Sequence, residues 1–395
     1  MIDIKRKEDC CGCGACYDAC AQKAIDWITD EEGFSYPSVK TGLCVDCGLC
    51  NRVCPIENSD TINEKNKGFT PTVIGCFHRN KTIQFTSTSG GAFWGLAEPW
   101  IKKGGYVAGA IFTNNFEVKH IVTNTIEGLT QIKGSKYAQS DCRGMYKEIS
   151  KLLKNGYKVM ATGLPCQMAA LRQYLRKDYD NLLVVDLICH SVTSQFAFGQ
   201  YIKYLEKEYQ SKLIDYHPKN KEYGGWHDFA FKATFENGKQ YVGKGTEDYF
   251  TEIFVGRDRI LARYSCYSCH YKHFPQPSDI TIGDFWGIDS IDPQFDSPDG
   301  ISKVIINNLK GQEFFNSLDC FVSKEYDPQV SVFNNIRSRS MIQSLKPCNL
   351  EKRKKFVHSL HKKGFKYSVE KYLKPKKTIW AVLYKIKNYV TRNAK

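Results

Sequence analysis

Apolar positions along this chain alternate between short continuous runs and stretches where they recur every three or four residues. That alternation is expected when buried strands are joined by helices. Continuous runs predict strands over 72–77, 106–112, 118–123, 158–162, 182–188, 280–282 and 304–308. Helical spacing predicts helices over 92–103, 142–155 and 312–318. The clearest unit spans 158–188. A short apolar strand ends at Gly163-Leu164-Pro165, and Pro165 suits a first helical turn. Met168, Leu171 and Leu175 form one helix face, and an unbroken apolar strand follows. Strand, helix, strand predicts a parallel pair with a right-handed crossover. The fold class is α/β (α+β overall), with a mixed sheet containing this parallel unit.

The topology has a chemical consequence. Cys166 follows the end of the first strand and Cys189 the end of the second. Parallel strands deliver both to one rim of the sheet, where α/β folds place their ligands. Cys166 falls in the first helical turn, where peptide dipoles favour a thiolate. Cys266 and Cys269 add a CxxC pair. Together these four suit a 4Fe-4S cluster or, less well, zinc; the other reading is that the two rim cysteines are core residues. Cys76, Cys142, Cys320 and Cys348 have no such partners and read as structural.

The amino end carries the most specific signal. Cys10, Cys13, Cys16 and Cys20 have the spacing C-x2-C-x2-C-x3-C, and Cys44, Cys47, Cys50 and Cys54 repeat it before Pro55. This is the run of bacterial two-cluster ferredoxins, in which the fourth cysteine of each run reaches the other cluster. The expected ligand sets are Cys10, Cys13, Cys16 with Cys54, and Cys44, Cys47, Cys50 with Cys20. Zinc sites use CxxC pairs rather than such triplets, and disulfides would need an export signal, of which the charged residues 1–9 show none. Ala21 stands where a proline usually follows the run, and Cys11 is an extra thiol, read as incidental in preference to a spare ligand.

Composition adds little beyond an ordinary globular balance, 42% hydrophobic and 13% aromatic. The longest apolar stretches, 182–189 and 379–384, fall short of the roughly 20 residues of a membrane span. Seventeen cysteines without an export signal imply a reducing cytoplasm. The formal charge of +14 resides in the last 50 residues, which hold 16 Lys or Arg against Glu351 and Glu370. The rest is balanced, so the charge does not imply nucleic-acid binding. The domain reading is a cluster module at 1–58, a polar linker at 59–70, a main domain at 71–345 and a basic tail at 346–395. Within the tail, Ile379, Leu383, Ile386 and Val390 share a helical face beside Trp380 and Tyr384, which suits an anionic membrane surface or a protein contact. Localisation is cytoplasmic, peripheral to the inner face of the membrane if the tail anchors.

The remaining motifs are weaker. Ser89-Gly90-Gly91 and Gly134-Ser135-Lys136 are small-residue loops whose amides suit a phosphate, with Lys136 adding charge; ordinary turns are the competing reading. No GxGxxG and no P-loop lysine motif is present. His190, His270 and His273 lie beside cysteines, and no Ser/His/Asp arrangement can be argued.

Taken in order, SGGAF (89–93), GSKYAQS (134–140), GLPCQMAAL (163–171), DLICHSVTS (186–194), GGW (224–226), CYSCHYK (266–272) and DITIGDFWG (279–287) resemble the beta-subunit family of coenzyme F420 hydrogenase/dehydrogenase. That family includes 7-hydroxymethyl chlorophyll a reductase and bacterial proteins of polysaccharide gene clusters. The resemblance implies FAD, held by Ser89, Gly90, Gly91, Gly134, Ser135, Lys136, Tyr137 and Gln167, and a third 4Fe-4S cluster on Cys166, Cys189, Cys266 and Cys269. It departs at Leu164, Ser191 and Thr193, where the family has Thr, Gly and Pro. It departs again at 217–221, where an arginine-containing segment is usual; these changes put a deazaflavin substrate in doubt. The leading expectation is a flavoprotein oxidoreductase, fed by reduced ferredoxin or a similar donor and acting on a small organic substrate. The alternatives are a non-catalytic electron-transfer subunit and a metal-stabilised scaffold of a membrane-surface polysaccharide-assembly complex.

Overall fold

The computed structural model describes residues 1–244, 248–254, 256, 259–335, 337 and 342–373. An eight-stranded mixed sheet forms the centre, in the order β13-β3-β12-β11-β7-β6-β4-β5. Its strands are β3 (Thr72–His78), β4 (Tyr106–Phe112), β5 (Val118–Thr123), β6 (Val159–Gly163), β7 (Leu182–Leu187), β11 (Ile280–Asp284), β12 (Ser302–Ile306) and β13 (Phe321–Tyr326). β4, β6, β7 and β11 run parallel and the outer strands antiparallel. The expected parallel unit is present: β6 and β7 pair in parallel across the helix Pro165–Leu175.

The apolar run 182–185, which Asp186 ends within β7, has a simple cause. Leu182 and Val184 face the helices Met145–Lys154 and Pro165–Leu175, while Leu183 and Val185 face the helices Ala92–Lys102 and Ile126–Ile132. Both sheet faces are covered, so both registers of the strand must be apolar.

The amino-terminal module packs on the first of those faces. It contains a hairpin, β1 (Ile25–Thr29) with β2 (Ser35–Val39), and two cysteine runs whose backbones repeat each other. Gly12 (φ 68°) and Gly14 (φ 80°) in the first run match Asp46 (φ 47°) and Gly48 (φ 69°) in the second. Each run thus curls through two left-handed residues before a short helix, Ala15–Ala19 or Leu49–Arg52. Cys11, Cys13, Cys16 and Cys54 join one apolar core with Met145, Tyr146, Met168 and Leu171 of the main body.

The segment expected as a linker is packed. It holds the helix Ser59–Asn63, buries Ile62, and directs Asn66 Nδ2 to the carbonyls of Gln276 (2.5 Å) and Ser278 (2.9 Å).

Two further parts were not legible as elements. A three-stranded antiparallel sheet, β8 (Leu213–Asn220), β9 (Ala230–Phe235) and β10 (Gln240–Lys244), carries a second aromatic core with the helix Gln195–Tyr209. The start of the basic tail is helical, as expected of the tail, and it is packed. Helices Leu350–Lys363 and Phe365–Tyr372 bury Phe356, Val357, Leu360, Phe365 and Val369 in that core. Lysines on their outer faces mask the apolar stripe in the sequence. The amphipathic stretch around 379–390 lies outside the described residues. Among the described residues no helix is long and apolar enough to cross a membrane.

Candidate functional site

Three groups of thiols lead from the surface into the molecule. Cys44 and Cys50 lie beside the terminal ammonium of Met1, Cys20 and Cys50 are half-buried, and Cys47 is exposed. Cys10, Cys13, Cys16 and Cys54 are buried and lie near one another, with Cys16 also close to Cys50. Backbone amides already point at several sulfurs: Ile2 at Cys50 Sγ (3.1 Å), Ala24 at Cys20 Sγ (3.2 Å) and Gly12 at Cys10 Sγ (3.4 Å). Such N–H donors tune the potential of a sulfur-bound cluster.

The third group lines a small chamber: Cys11, Cys166, Cys189, Cys266 and Cys269. The topology works as expected, since Cys166 and Cys189 follow β6 and β7 to one rim and the CxxC loop arrives from the side. Cys11 is not incidental. Its sulfur neighbours those of Cys13 and Cys166, which links this chamber to the buried thiols of the amino-terminal module. Only the docking of that module brings Cys11 here, so no local spacing reports it.

The expectation that the helix start makes Cys166 a ready thiolate is overturned. The neighbouring Cys11 sulfur, with burial, holds the Cys166 thiol well above its ordinary range. Burial likewise pushes Cys189 up to about 12 and Cys266 up to about 11. Half-buried thiols held up in this way ionise more readily against added positive charge, which an iron cluster supplies. The donor set therefore fits such a group. Among the described residues, no three His, Cys, Asp or Glu side chains lie close enough to share a single metal ion.

A second, larger cavity of about 540 Å³ adjoins this chamber. Leu164, Leu187, Ile188, Cys189 and Val192 line both, so the partition is one residue thick. The volume lies in the range of small-molecule sites. Ser89, Gly91, Gly134, Ser135, Lys136, Tyr137 and Gln167 all line this cavity, with Phe93, Phe229, Phe254 and Trp286 as its aromatic wall.

Several of these residues act differently from the sequence expectation. Gly90 does not reach the lining. A Cβ there would meet Cys76 O at 2.4 Å and Ser302 N at 2.6 Å, so glycine lets the loop lie on β3 and β12. Both obstacles are backbone and cannot move aside. Gly90→Ala is expected to lower stability by about 1–3 kcal/mol, which thermal unfolding checks, and to displace Ser89 and Gly91 from the wall.

Lys136 lines the cavity, but its ammonium caps the helix Ile126–Ile132, donating among the carbonyls of Gln131 (2.8 Å), Ile132 (2.7 Å) and Lys133 (3.0 Å). Burial lowers it to about 7. Gln167 is engaged locally too: Oε1 accepts from Leu164 N (2.9 Å) and Nε2 donates to Ser140 Oγ (3.0 Å). Thr193, at a family proline position, donates its hydroxyl to Tyr137 O at 2.5 Å and so ties the 134–140 loop to the segment after β7.

Residues not named as flavin-site candidates complete or support the wall. Lys219 pairs with Asp284 at 2.5 Å and lies over Trp286 and Phe229, while Trp226 Nε1 donates to Asp284 Oδ1 (2.9 Å). Buried Lys221 holds the Ser89 loop by donating to Ser89 O at 2.7 Å. Lys219 and Lys221 occupy the segment where the family carries arginine, the signal that pointed here. Cys142, read as structural, has a partner: its sulfur lies 3.2 Å from His120 Nδ1. The Arg259 guanidinium lines the cavity with no hydrogen bond or ion pair among the described residues.

Comparison with known proteins agrees with this division. Residues 9–58 match the 4Fe-4S dicluster domain, and residues 156–323 match the family of the C terminus of the coenzyme F420 hydrogenase/dehydrogenase beta subunit. An uncharacterized ferredoxin of Methanocaldococcus jannaschii is 39% identical over 52 residues, 13% of this chain and 66% of that protein, just under two thirds of its length. A chain from the F420-reducing [NiFe] hydrogenase complex of Methanosarcina barkeri superposes with a TM-score of 0.46 at 19% identity, covering 69% of this chain and 86% of that one. By these matches residues 156–323 are similar to the coenzyme F420 hydrogenase/dehydrogenase beta-subunit family, and residues 9–58 to a 4Fe-4S dicluster domain.

Proposed function

We propose that this chain is an iron–sulfur flavoprotein oxidoreductase that takes electrons from a reduced one-electron carrier and delivers them to a small organic substrate. The observation that carries the reading is the shared partition: a five-thiol chamber and a cavity lined by the 89–91 and 134–137 loops, separated only by residues such as Leu164 and Cys189. When bound, the clusters carry single electrons and FAD exchanges single electrons for a two-electron equivalent.

In this reading Cys44, Cys47, Cys50 and Cys20 hold the outer cluster, where a carrier can approach. Cys10, Cys13, Cys16 and Cys54 hold the inner one, and Cys166, Cys189, Cys266 and Cys269 the third. Cys11 bridges the last two groups. Ser89, Gly91, Gly134, Ser135 and Tyr137 frame the flavin, and Gly90 and Gln167 set the loops that do so. Arg259, without an ion-pair partner among the described residues, gives the cavity a cation for an anionic part of its ligand.

The test is anaerobic purification followed by iron, sulfide and flavin analysis. Flavin with about twelve irons per chain is expected, four for each of three clusters. Cys166→Ser should remove about four irons and leave the amino-terminal clusters; unchanged iron removes Cys166 from the ligand set. A colourless protein without sulfide ends the reading. A second reading, a relay subunit without its own turnover, is favoured by the match to a family described as a subunit. Clusters without flavin would select it.

A further inference from the structure

Five carboxylates are deeply buried among the described residues: Asp18, Glu32, Asp186, Asp248 and Asp279. Four have partners. Asp18 accepts from Gly144 N (2.8 Å), and Glu32 is paired with Arg353 (2.5 Å). Asp248 accepts from Tyr201 and Tyr241 hydroxyls (2.6 and 2.8 Å) and from Phe250 N (2.7 Å). Asp279 is paired with Arg172 (2.7 Å) and accepts from Val184 N (2.7 Å). Asp186 is 1% exposed, and neither of its oxygens has a hydrogen-bond partner among the described residues. A buried carboxyl left without partners is costly, and such an exception calls for a reason.

Its position supplies one. Asp186 lies in β7 opposite Gly163 of β6 and Thr281 of β11. It lines the large cavity, while Thr281 and the next two residues of the chain, Leu187 and Ile188, line the thiol chamber. The surroundings do not neutralise it. The Ser278 and Thr281 hydroxyls, which accept from Asn307 Nδ2 (3.1 and 2.9 Å), lie close enough to ease its charge but outside hydrogen-bonding geometry. Arg172 is taken by Asp279. Gly163 offers no side chain, and the Cys189 thiol stands three residues on, beyond the strand end. Burial, with the Asp279 charge adding to it, raises the carboxyl to about 7. Near neutral pH it can therefore both hold and release a proton.

We propose that Asp186 is the proton-carrying residue for reductions in the large cavity. The proposal rests on the redox reading above. Two reduced one-electron carriers each lose an electron through the thiol side. The Asp186 carboxyl loses its proton to the cavity, and the two electrons with that proton make up the hydride equivalent the ligand gains. The carboxylate is then re-protonated by a proton taken up from bulk solvent through water entering the cavity. A site between the electron path and the cavity is where such a group is needed, because charge arriving in a low-dielectric chamber must be compensated nearby.

The test is infrared difference spectroscopy of the iron-loaded full-length protein, oxidised against dithionite-reduced, near pH 7. A carboxylic-acid C=O band that changes on reduction is expected. It should be lost in Asp186→Asn and shifted in Asp186→Glu, with iron and flavin contents unchanged in both. Proton uptake on reduction, followed with a pH indicator dye, should fall by close to one per chain in Asp186→Asn. A wild-type difference spectrum without a carboxyl band overturns the proposal whether or not the variants fold, and so does a band that persists in Asp186→Asn. A preparation lacking both iron and flavin sinks the redox reading itself and takes this proposal with it; a loaded protein without the band sinks this proposal alone.

Discussion

Replacing Arg353 by methionine is expected to lower stability by about 3–5 kcal/mol, the cost of stranding one member of a buried ion pair. Arg353 is fully buried in the helix Leu350–Lys363, and Glu32, 4% exposed, sits in the β1–β2 turn 321 residues earlier. The guanidinium forks onto both carboxylate oxygens at 2.9 and 2.5 Å, donates to Ala262 O (2.8 Å), and lies 4.1 Å from the Tyr264 ring centre. Methionine fills much of the volume but leaves a buried carboxylate alone. The double variant Glu32→Gln/Arg353→Met should recover most of the loss, because no charge remains unpaired. Arg353→Lys should recover less, since an ammonium cannot match the fork. Chemical denaturation under anaerobic conditions reads all three; a single variant as stable as the parent would show that the contact does not hold the tail helix to the amino-terminal module.

The second large effect is expected from Arg263→Leu. Arg263 is 1% exposed and sits where module and body meet. It donates to Cys10 O (2.8 Å), Ser35 O (2.9 Å) and Gln139 Oε1 (3.0 Å), and its guanidinium lies 4.4 Å from the Tyr36 ring centre. Hydrogen bonds from a charged group contribute about 1.5–3 kcal/mol each, so the loss should exceed that of any single surface contact. Gln139, freed of Arg263, still donates to Cys11 O (2.7 Å), which limits the damage to the Cys10 side. A second readout is electronic. Arg263 Nη2 lies 3.5 Å from Cys10 Sγ, and a cation there favours the more negative, reduced state of an inner cluster. Arg263→Leu should lower that cluster's reduction potential, measured by redox titration under electron paramagnetic resonance. An unchanged potential with unchanged iron would remove Arg263 from the inner site. Gly12 explains why the fit is so close: a Cβ there would stand 2.6 Å from Arg263 Nη1.

Much of the central sheet was legible because it is built from local pattern. The strands at 106–112 and 118–123 have the expected bounds, and the β6–helix–β7 unit announces itself through Pro165 and the apolar run at 182 onward. The two cysteine runs were legible for the same reason: three thiolates that must reach one group have to lie within a few residues. The sheet at 213–244 was not, since Leu213–Asn220 mixes charged and aromatic residues and owes its strand form to packing against Phe198 and Tyr201. The helices after 350 were hidden by lysines that only outline a buried face once Glu32 and the aromatic core are in place.

The sequence alone determined the thiol chemistry at the amino end, the α/β class and the delivery of Cys166 and Cys189 to one rim. Each follows from interactions spanning a few residues or a single crossover. Only the tertiary structure decided that Cys11 joins the third thiol group, that Arg263 sits against Cys10, and that Asp186, alone of the buried carboxyls among the described residues, lacks a partner. Those outcomes depend on surfaces brought together from positions up to hundreds of residues apart, where burial rather than spacing sets which charges are met and which are left.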